Sequence, residues 1–410
     1  MKYDFETMLD RRGKDALAVD SIGAPDGFGP AGPKEGFDAI PMWVADMNFA
    51  TCPAIQEAII RRAQHPAFGY YEISSAYYEA IMRWQGKRNG AAGLERKHIG
   101  YENGVLGGVI STLNVLCSRG GNVLVQSPTY IGFLHALENN GYHIVYNPLI
   151  HDESGAWRLD YEDMEQKIVE HRIQATIFCN PHNPCGRVWE PEEIRKAMEI
   201  FERHGVWVVS DEIWSDLMLN GHRHTPTQSV NDYARNHTAA FYAPSKTFNL
   251  AGLVGSYHII YNDWLRERQG KEASLSCYNT MNVLSMHALT GAYSPEGEEW
   301  VDQLNGVLSG NINYAADLIQ NRWKGVSVQK PEGTYMLFLH CEDWCRAHGK
   351  TAEGLQKAGT DVGIAWQDGR PFGDPWGIRM NLALPFHKVK EAFGRLDRYV
   401  FRPEVSDRQP

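Results

Sequence analysis

Three short apolar runs in this 410-residue chain each lead into residues that can do chemistry. Ala175–Cys179 leads into Asn180-Pro181-His182-Asn183-Pro184-Cys185-Gly186, where two Asn-Pro steps and a glycine set a tight loop. Val206–Ser210 leads into Asp211-Glu212, and Ala239–Ala243 into Pro244-Ser245-Lys246-Thr247. Ligands of open α/β sheets sit beyond the carboxyl ends of the strands. An amide, a carboxylate and an amine at three successive strand ends therefore point to one site. Each residue alone has a plainer explanation: a lone Lys is usually a solvated surface group, and an Asp after a strand is most often a helix cap. Asn-Pro loops are usually just turns. Their joint occurrence, in order, outweighs those readings.

That set suits a ligand with a heteroaromatic ring, a carbonyl and an anionic tail, and pyridoxal 5'-phosphate has all three. Its aldehyde needs a Lys for a Schiff base, and its ring nitrogen needs a carboxylate to stay protonated and act as an electron sink. Its phenolic oxygen needs a donor such as Asn or Tyr. Its phosphate suits the N–H groups at a helix start, which Tyr101-Glu102-Asn103-Gly104-Val105-Leu106-Gly107-Gly108 supplies ahead of the apolar helix 106–117. Tyr130, just after the strand 123–126, is placed to stack on the ring.

The elements that must position these residues alternate. Strands are expected at 123–126, 143–146, 175–179, 206–210, 239–243 and 257–261, with helices at 53–63, 75–88, 106–117, 132–139, 160–170 and 191–204. Short apolar strands separated by helical patterns indicate an α/β fold with a mostly parallel sheet covered on both faces. Beyond a Gly/Ser/Pro break near 291–297 come a long helix (297–321), a strand near 333–339, a helix near 351–358 and a strand near 377–382. They read as a smaller α+β domain. The expected division is an N-terminal arm (1–50), a large cofactor domain (51–290) and a small C-terminal domain (291–410).

Composition narrows the class. Hydrophobic residues are 43% and charged residues 22%, which speaks against disorder, collagen and coiled coil. The net charge is 40 − 50 = −10, which offers no general affinity for nucleic acid or an anionic membrane. No apolar run approaches the ~18 residues of a membrane span, and the charged start MKYDFETMLDRRGKD lacks a signal-peptide core. Seven cysteines without a CxxC pair fit a reducing cytoplasm and no thiol-based metal centre. His222 and His224 stand two apart but read as a polar surface loop rather than a chelate, so no metal is expected. Cys179 and Cys185 read as small buried residues.

With these residues in view, the sequence resembles the aspartate-aminotransferase superfamily of pyridoxal phosphate enzymes (fold type I, class I/II) over nearly its whole length. Closer in, it is similar to the C–S β-lyase branch of the MalY/PatB type. The segments that carry the likeness are MWVADMNF (42–49), AFGYY (67–71), SPTYIGF (127–133), CNPHNPCGRVW (179–189), VVSDEIWSDL (208–217), APSKTFNLAGL (243–253), AYSPEGEEW (292–300), PEGTYMLF (331–338) and FGDPWGIRMNLALP (372–385). The resemblance implies Lys246 as the Schiff-base and proton-transfer lysine, with Tyr130 stacking on the ring and helping to polarise it. It implies Asp211 at the ring nitrogen and Asn183 at the phenolic oxygen and near the substrate. Val105 and Leu106 N–H groups would hold the phosphate, aided by the Ser245 hydroxyl and by Tyr70 reaching across a homodimer with shared sites. Arg379 would clamp the substrate α-carboxylate, because its fork suits that group, and Val44 and Ala45 would line the substrate pocket.

The sequence departs from the pattern at several places. Asn48 and Ala50 stand where the branch commonly has Asp and Pro, Ala243 where a Ser is frequent, and Val254 where many aminotransferases carry a phosphate-binding Arg. Trp214 stands where the branch has His and more distant relatives Tyr; indole offers one donor and no acceptor, and Trp214 would form part of the cofactor pocket. Tyr71, Trp214 and Trp366 are candidates for an aromatic pocket wall. The activity implied is β-elimination of L-cystathionine or an L-cysteine S-conjugate to pyruvate, ammonia and a thiol. The same residues would also serve an aminotransferase acting on an L-amino acid. A third reading is a regulatory protein that holds the cofactor and works through protein contact.

Overall fold

The computed structural model describes residues 2–25, 27–275 and 279–402; Cys277 lies outside them. The described residues divide into two units: those within 51–183 and 187–302, and those within 2–50, 184–186 and 303–402.

The larger unit is built on seven strands: β1 (Ile99–Glu102), β2 (Asn122–Ser127), β3 (His143–Pro148), β4 (Ala175–Cys179), β5 (Trp207–Asp211), β6 (Thr238–Tyr242) and β7 (Ser256–Ile260). Their order across the sheet is β1-β7-β6-β5-β4-β2-β3. All neighbours are parallel except β7, which is antiparallel to β1 and β6. The six expected strands are present within two residues at either end. β1 has no counterpart among the expectations. It is four residues long and includes Gly100, both of which weaken a strand signal.

The helices include α1 (Pro53–Ala63), α2 (Ser75–Asn89), α3 (Val105–Leu116), α4 (Ile131–Asn139), α5 (Tyr161–Glu170), α6 (Pro191–His204) and α7 (Asp263–Ser274). In α3, Val105, Val109 and Leu113 fall four apart on one face and join a buried cluster with Phe133, Leu137, Val125, Ile177, Val209 and Phe241. Gly108 brings α3 close to the sheet: a Cβ there would lie 2.4 Å from the Phe241 ring. α6 starts on a capping box between Glu190 and Glu193 and stops at left-handed Gly205.

The smaller unit holds a four-stranded antiparallel sheet of Ser327–Val328, Met336–His340, Gly377–Asn381 and Gln367–Asp368, in that spatial order. Ile40–Pro41 pairs in parallel with Ile364–Ala365. The expected strand near 333–339 is Met336–His340, the expected helix near 351–358 is Ala352–Asp361, and the expected long helix is Pro295–Arg322. Trp366, a candidate pocket wall, is instead wholly buried. Its indole N–H donates to Gln356 O at 3.0 Å, and its ring packs so closely on Gly359 that a Cβ there would come within 2.0 Å. Among the described residues, no helix is long and apolar enough to cross a membrane.

Candidate active site

Parallel pairing sets three strand ends side by side. Cys179 of β4 faces Asp211 of β5, and Asp211 faces Phe241 of β6. The ladder continues past the strands, as Asn180 N donates to Asp211 O at 2.9 Å and Glu212 N to Phe241 O at 2.9 Å. The amide loop, the acid and the lysine turn therefore leave one sheet edge together.

Asp211 is buried. Burial pushes its carboxyl up to about 7; the Ile213 N–H, bound at 3.0 Å, and the charge of Lys246 pull it down, while Glu212 adds to the rise. A buried acid poised to ionise beside a cation is the partner a pyridinium N–H requires. Lys246 lies half-buried on the short helix Pro244–Thr247. That turn is fixed from behind: Thr247 Oγ1 donates to Asp216 at 2.9 Å, and Trp84 Nε1 donates to the same carboxylate at 2.9 Å. Lys246 Nζ faces the ring of buried Trp214 at 5.8 Å from its centroid. Trp214 is thus in the cluster, with its ring turned to the lysine.

Tyr130 stands at the start of α4, edge-on to Phe133 at 5.3 Å. Gly132 makes room for the ring, since a Cβ there would lie 2.4 Å from it. Asn183 is buried in a loop that His182 and Arg187 fold back. His182 Nε2 pairs with Pro128 O at 2.7 Å, and Arg187 Nη2 meets Glu193 at 2.6 Å. At the start of α3, the N-cap residue Gly104 has φ 91° and offers no capping side chain of its own. First-turn N–H groups lack intrahelical partners by construction. With half-buried Ser245, this donor set fits a phosphate, and the buried acid beside a lysine fits the ring nitrogen and aldehyde of pyridoxal phosphate. Tyr70 is fully exposed, whereas the Tyr71 hydroxyl donates to Met281 O at 2.6 Å.

In the smaller unit, Arg379 is buried on Gly377–Asn381. Its guanidinium lies over Phe372 at 4.4 Å and hydrogen-bonds Gln367. Neighbouring Asn381 holds the arm by donating to Val44 O at 2.8 Å and to Asp46 O, and Arg11 pairs with Asp46 at 2.7 Å. Val44 and Ala45 are half-buried.

The sequence reading passed over Glu212. It is wholly buried and takes four donors: Ser210 Oγ and Thr227 N at 3.0 Å each on Oε1, Tyr242 Oη at 2.6 Å and His224 Nε2 at 2.7 Å on Oε2. The 221–224 turn is exposed at His222, as expected of a surface loop, but the His224 side chain is only 1% exposed. His224 serves a carboxylate, and among the described residues no group of acids, histidines and cysteines could hold a metal ion. Cys179 and Cys185 are both buried.

The family model for aminotransferase class I and II matches residues 39–396. The chain belongs to that family. It is 34% identical over 362 residues to cystathionine β-lyase PatB of Bacillus subtilis, covering 88% of this chain and 92% of the relative. The pyridoxal phosphate-bound C–S lyase of Staphylococcus hominis superposes with a TM-score of 0.85 at 29% identity, over 97% of this chain and 98% of that one. Cystalysin of Treponema denticola, which contains a pyridoxal 5'-phosphate cofactor, superposes with a TM-score of 0.88 at 27% identity, over 97% and 98% of the two chains. The α/β architecture with its mostly parallel seven-stranded sheet is the aspartate-aminotransferase-like fold of the family.

Proposed function

We propose that the protein is a pyridoxal phosphate-dependent C–S β-lyase that releases a thiol, pyruvate and ammonia from L-cystathionine or an L-cysteine S-conjugate. The observation that carries the reading is the full-length likeness to PatB, together with a buried acid and a lysine on adjoining strand ends of one sheet. When bound, the cofactor supplies an electron sink for the pair left at Cα. The rest is the work of the chain.

Asp211 would keep a proton at the ring nitrogen. Asn183 would donate to the phenolic oxygen, with Tyr130 against the ring. Val105 and Leu106 N–H groups and the Ser245 hydroxyl would hold the phosphate. Arg379 takes the substrate α-carboxylate, with Val44 and Ala45 beside it. Lys246 removes the α-proton at Nζ, and the buried Trp214 ring helps keep water from that amine. The electron pair left at Cα would form a Cα–Cβ double bond as the thiolate leaves Cβ and takes up a proton, and the aminoacrylate released would take up water to give pyruvate and ammonia. The reading is tested by supplying S-conjugates with and without a keto acid: pyruvate and thiol without keto acid support it, and strict keto-acid dependence refutes it.

Arg379 gives a graded test. Replacing it by Lys keeps the charge but loses the fork, so Arg379→Lys is expected to raise KM for the conjugate roughly 10- to 100-fold, with kcat changed less. Steady-state kinetics on one conjugate reads this.

The active unit is proposed to be a cytoplasmic homodimer. Tyr70 projects a whole aromatic ring into solvent, as suits a residue serving a neighbouring subunit's phosphate. Tyr70→Phe is expected to weaken cofactor retention about tenfold, followed by release on dialysis. A cofactor-loaded, active monomer in sedimentation would refute the shared site.

A further inference from the structure

β1 ends on Glu102, which has no part in the reading above. Its side chain is wholly buried. Oε1 accepts from His258 Nδ1 at 2.6 Å and from Gln269 Nε2 at 3.0 Å, and Oε2 accepts from Asn279 Nδ2 at 3.2 Å. Asn279 also grips the main chain on both sides of Glu102. Its Nδ2 donates to Tyr101 O at 2.8 Å, and its Oδ1 accepts from Asn103 N at 2.6 Å. Ser256 Oγ donates to Glu102 O at 2.9 Å. The chain is therefore pinned through three consecutive residues just before it turns through Gly104 into α3.

Two glycines clear space for this arrangement. A Cβ on Gly100 would lie 2.2 Å from the His258 ring, and one on Gly108 would lie 2.9 Å from Glu102 Cγ. The strand end and the first turn of α3 thus close on the same Glu102 side chain. Burying a carboxylate is costly unless it is fully hydrogen-bonded, and an apolar residue would fill the volume more cheaply. A fixed hydrogen-bonding frame is what the charge provides at this position.

We propose that Glu102, with His258 and Asn279, is a positioning residue for the phosphate site, fixing the 103–106 turn so that the Val105 and Leu106 N–H groups converge on one anion. The inference rests on the placement of the cofactor phosphate at the start of α3. N–H groups bind an anion well only when their directions are set before it arrives, since hydrogen bonds weaken steeply when misaligned.

The test titrates apoenzyme with pyridoxal phosphate and, separately, with pyridoxal, which shares the ring and aldehyde but has no phosphate. Glu102→Gln retains the size but turns one acceptor into a donor. It is expected to raise the dissociation constant for pyridoxal phosphate about tenfold or more while leaving that for pyridoxal within about twofold. Unchanged binding of both ligands, or equal weakening of both, overturns the proposal, the second marking a purely structural residue. If Glu102→Gln does not fold, half-buried Asn279→Ala is read by the same criterion. A wild-type protein that binds pyridoxal as tightly as pyridoxal phosphate overturns the phosphate placement itself.

Discussion

Lys246→Ala is expected to lower kcat for β-elimination by about 10³-fold or more, because one side chain both anchors the cofactor and moves the α-proton. The short helix Pro244–Thr247 exists to present that amine. Pro244 opens it, Thr247 is tied to Asp216, and Asp216 is tied to Trp84. The substitution removes the amine and leaves these ties, so the variant should fold and bind cofactor without the covalent link that borohydride fixes in the wild type. Rapid-quench kinetics should then find α-proton exchange with solvent lost together with thiol release. Wild-type thiol release in this variant would remove Lys246 from the mechanism. A cellular phenotype that survives the variant would belong to protein contact rather than catalysis.

Asp211→Asn should be nearly as damaging, about 10²- to 10³-fold in kcat, because an amide cannot hold the ring nitrogen protonated. It also has a signature in the apoenzyme. Burial raises the Asp211 carboxyl to about 7, above the ~3.9 of an unfolded chain. Between those values the folded protein holds a proton that the unfolded chain has released. Stability from this group therefore falls as pH rises from about 4 to 7, then levels off, at a limit of about 1.4 kcal/mol per pH unit. Asp211→Asn abolishes that component. Urea midpoints at pH 5 and 7.5 should draw apart for wild-type apoenzyme by more than for the variant, and bound cofactor should shrink the difference. Equal pH dependence in the two apoproteins would contradict the buried-acid assignment.

The residues that announced themselves in sequence are those that close short, apolar strands. β4, β5 and β6 are consecutive in the parallel order, so their ends are neighbours in space as well as in sequence order. That is why Asn183, Asp211 and Lys246 could be grouped before any coordinates. The start of α3 was legible for a similar reason, as a Gly-containing turn ahead of an apolar helix. Arg379 was not legible that way; nothing in its local pattern marks it, and only the family motif did.

Other features lie in contacts between distant segments. β1 is an edge strand that pairs with β7 more than 150 residues later. Its last residue gains significance only when His258, Gln269 and Asn279 arrive around it. Glu212 adjoins Asp211 in sequence, yet its partners come from Thr227, His224 and Tyr242. The histidine turn shows the limit of local polarity: His222 points outward, whereas His224 completes a buried carboxylate. Trp366 is buried, and an aromatic near a motif carries no sign in sequence of which way it faces. The bare Gly359 surface against it draws the ring into the core.

The central claim is elimination rather than amino-group exchange, and the stoichiometry of turnover tests it most directly. Purified holoenzyme is given L-cystathionine with no keto acid, and homocysteine, pyruvate and ammonia are counted over many turnovers. The account predicts the three products in equal amounts, continuing until substrate is exhausted. Turnover that stops after about one equivalent per site and resumes only when a keto acid is added, with no thiol formed, would contradict it.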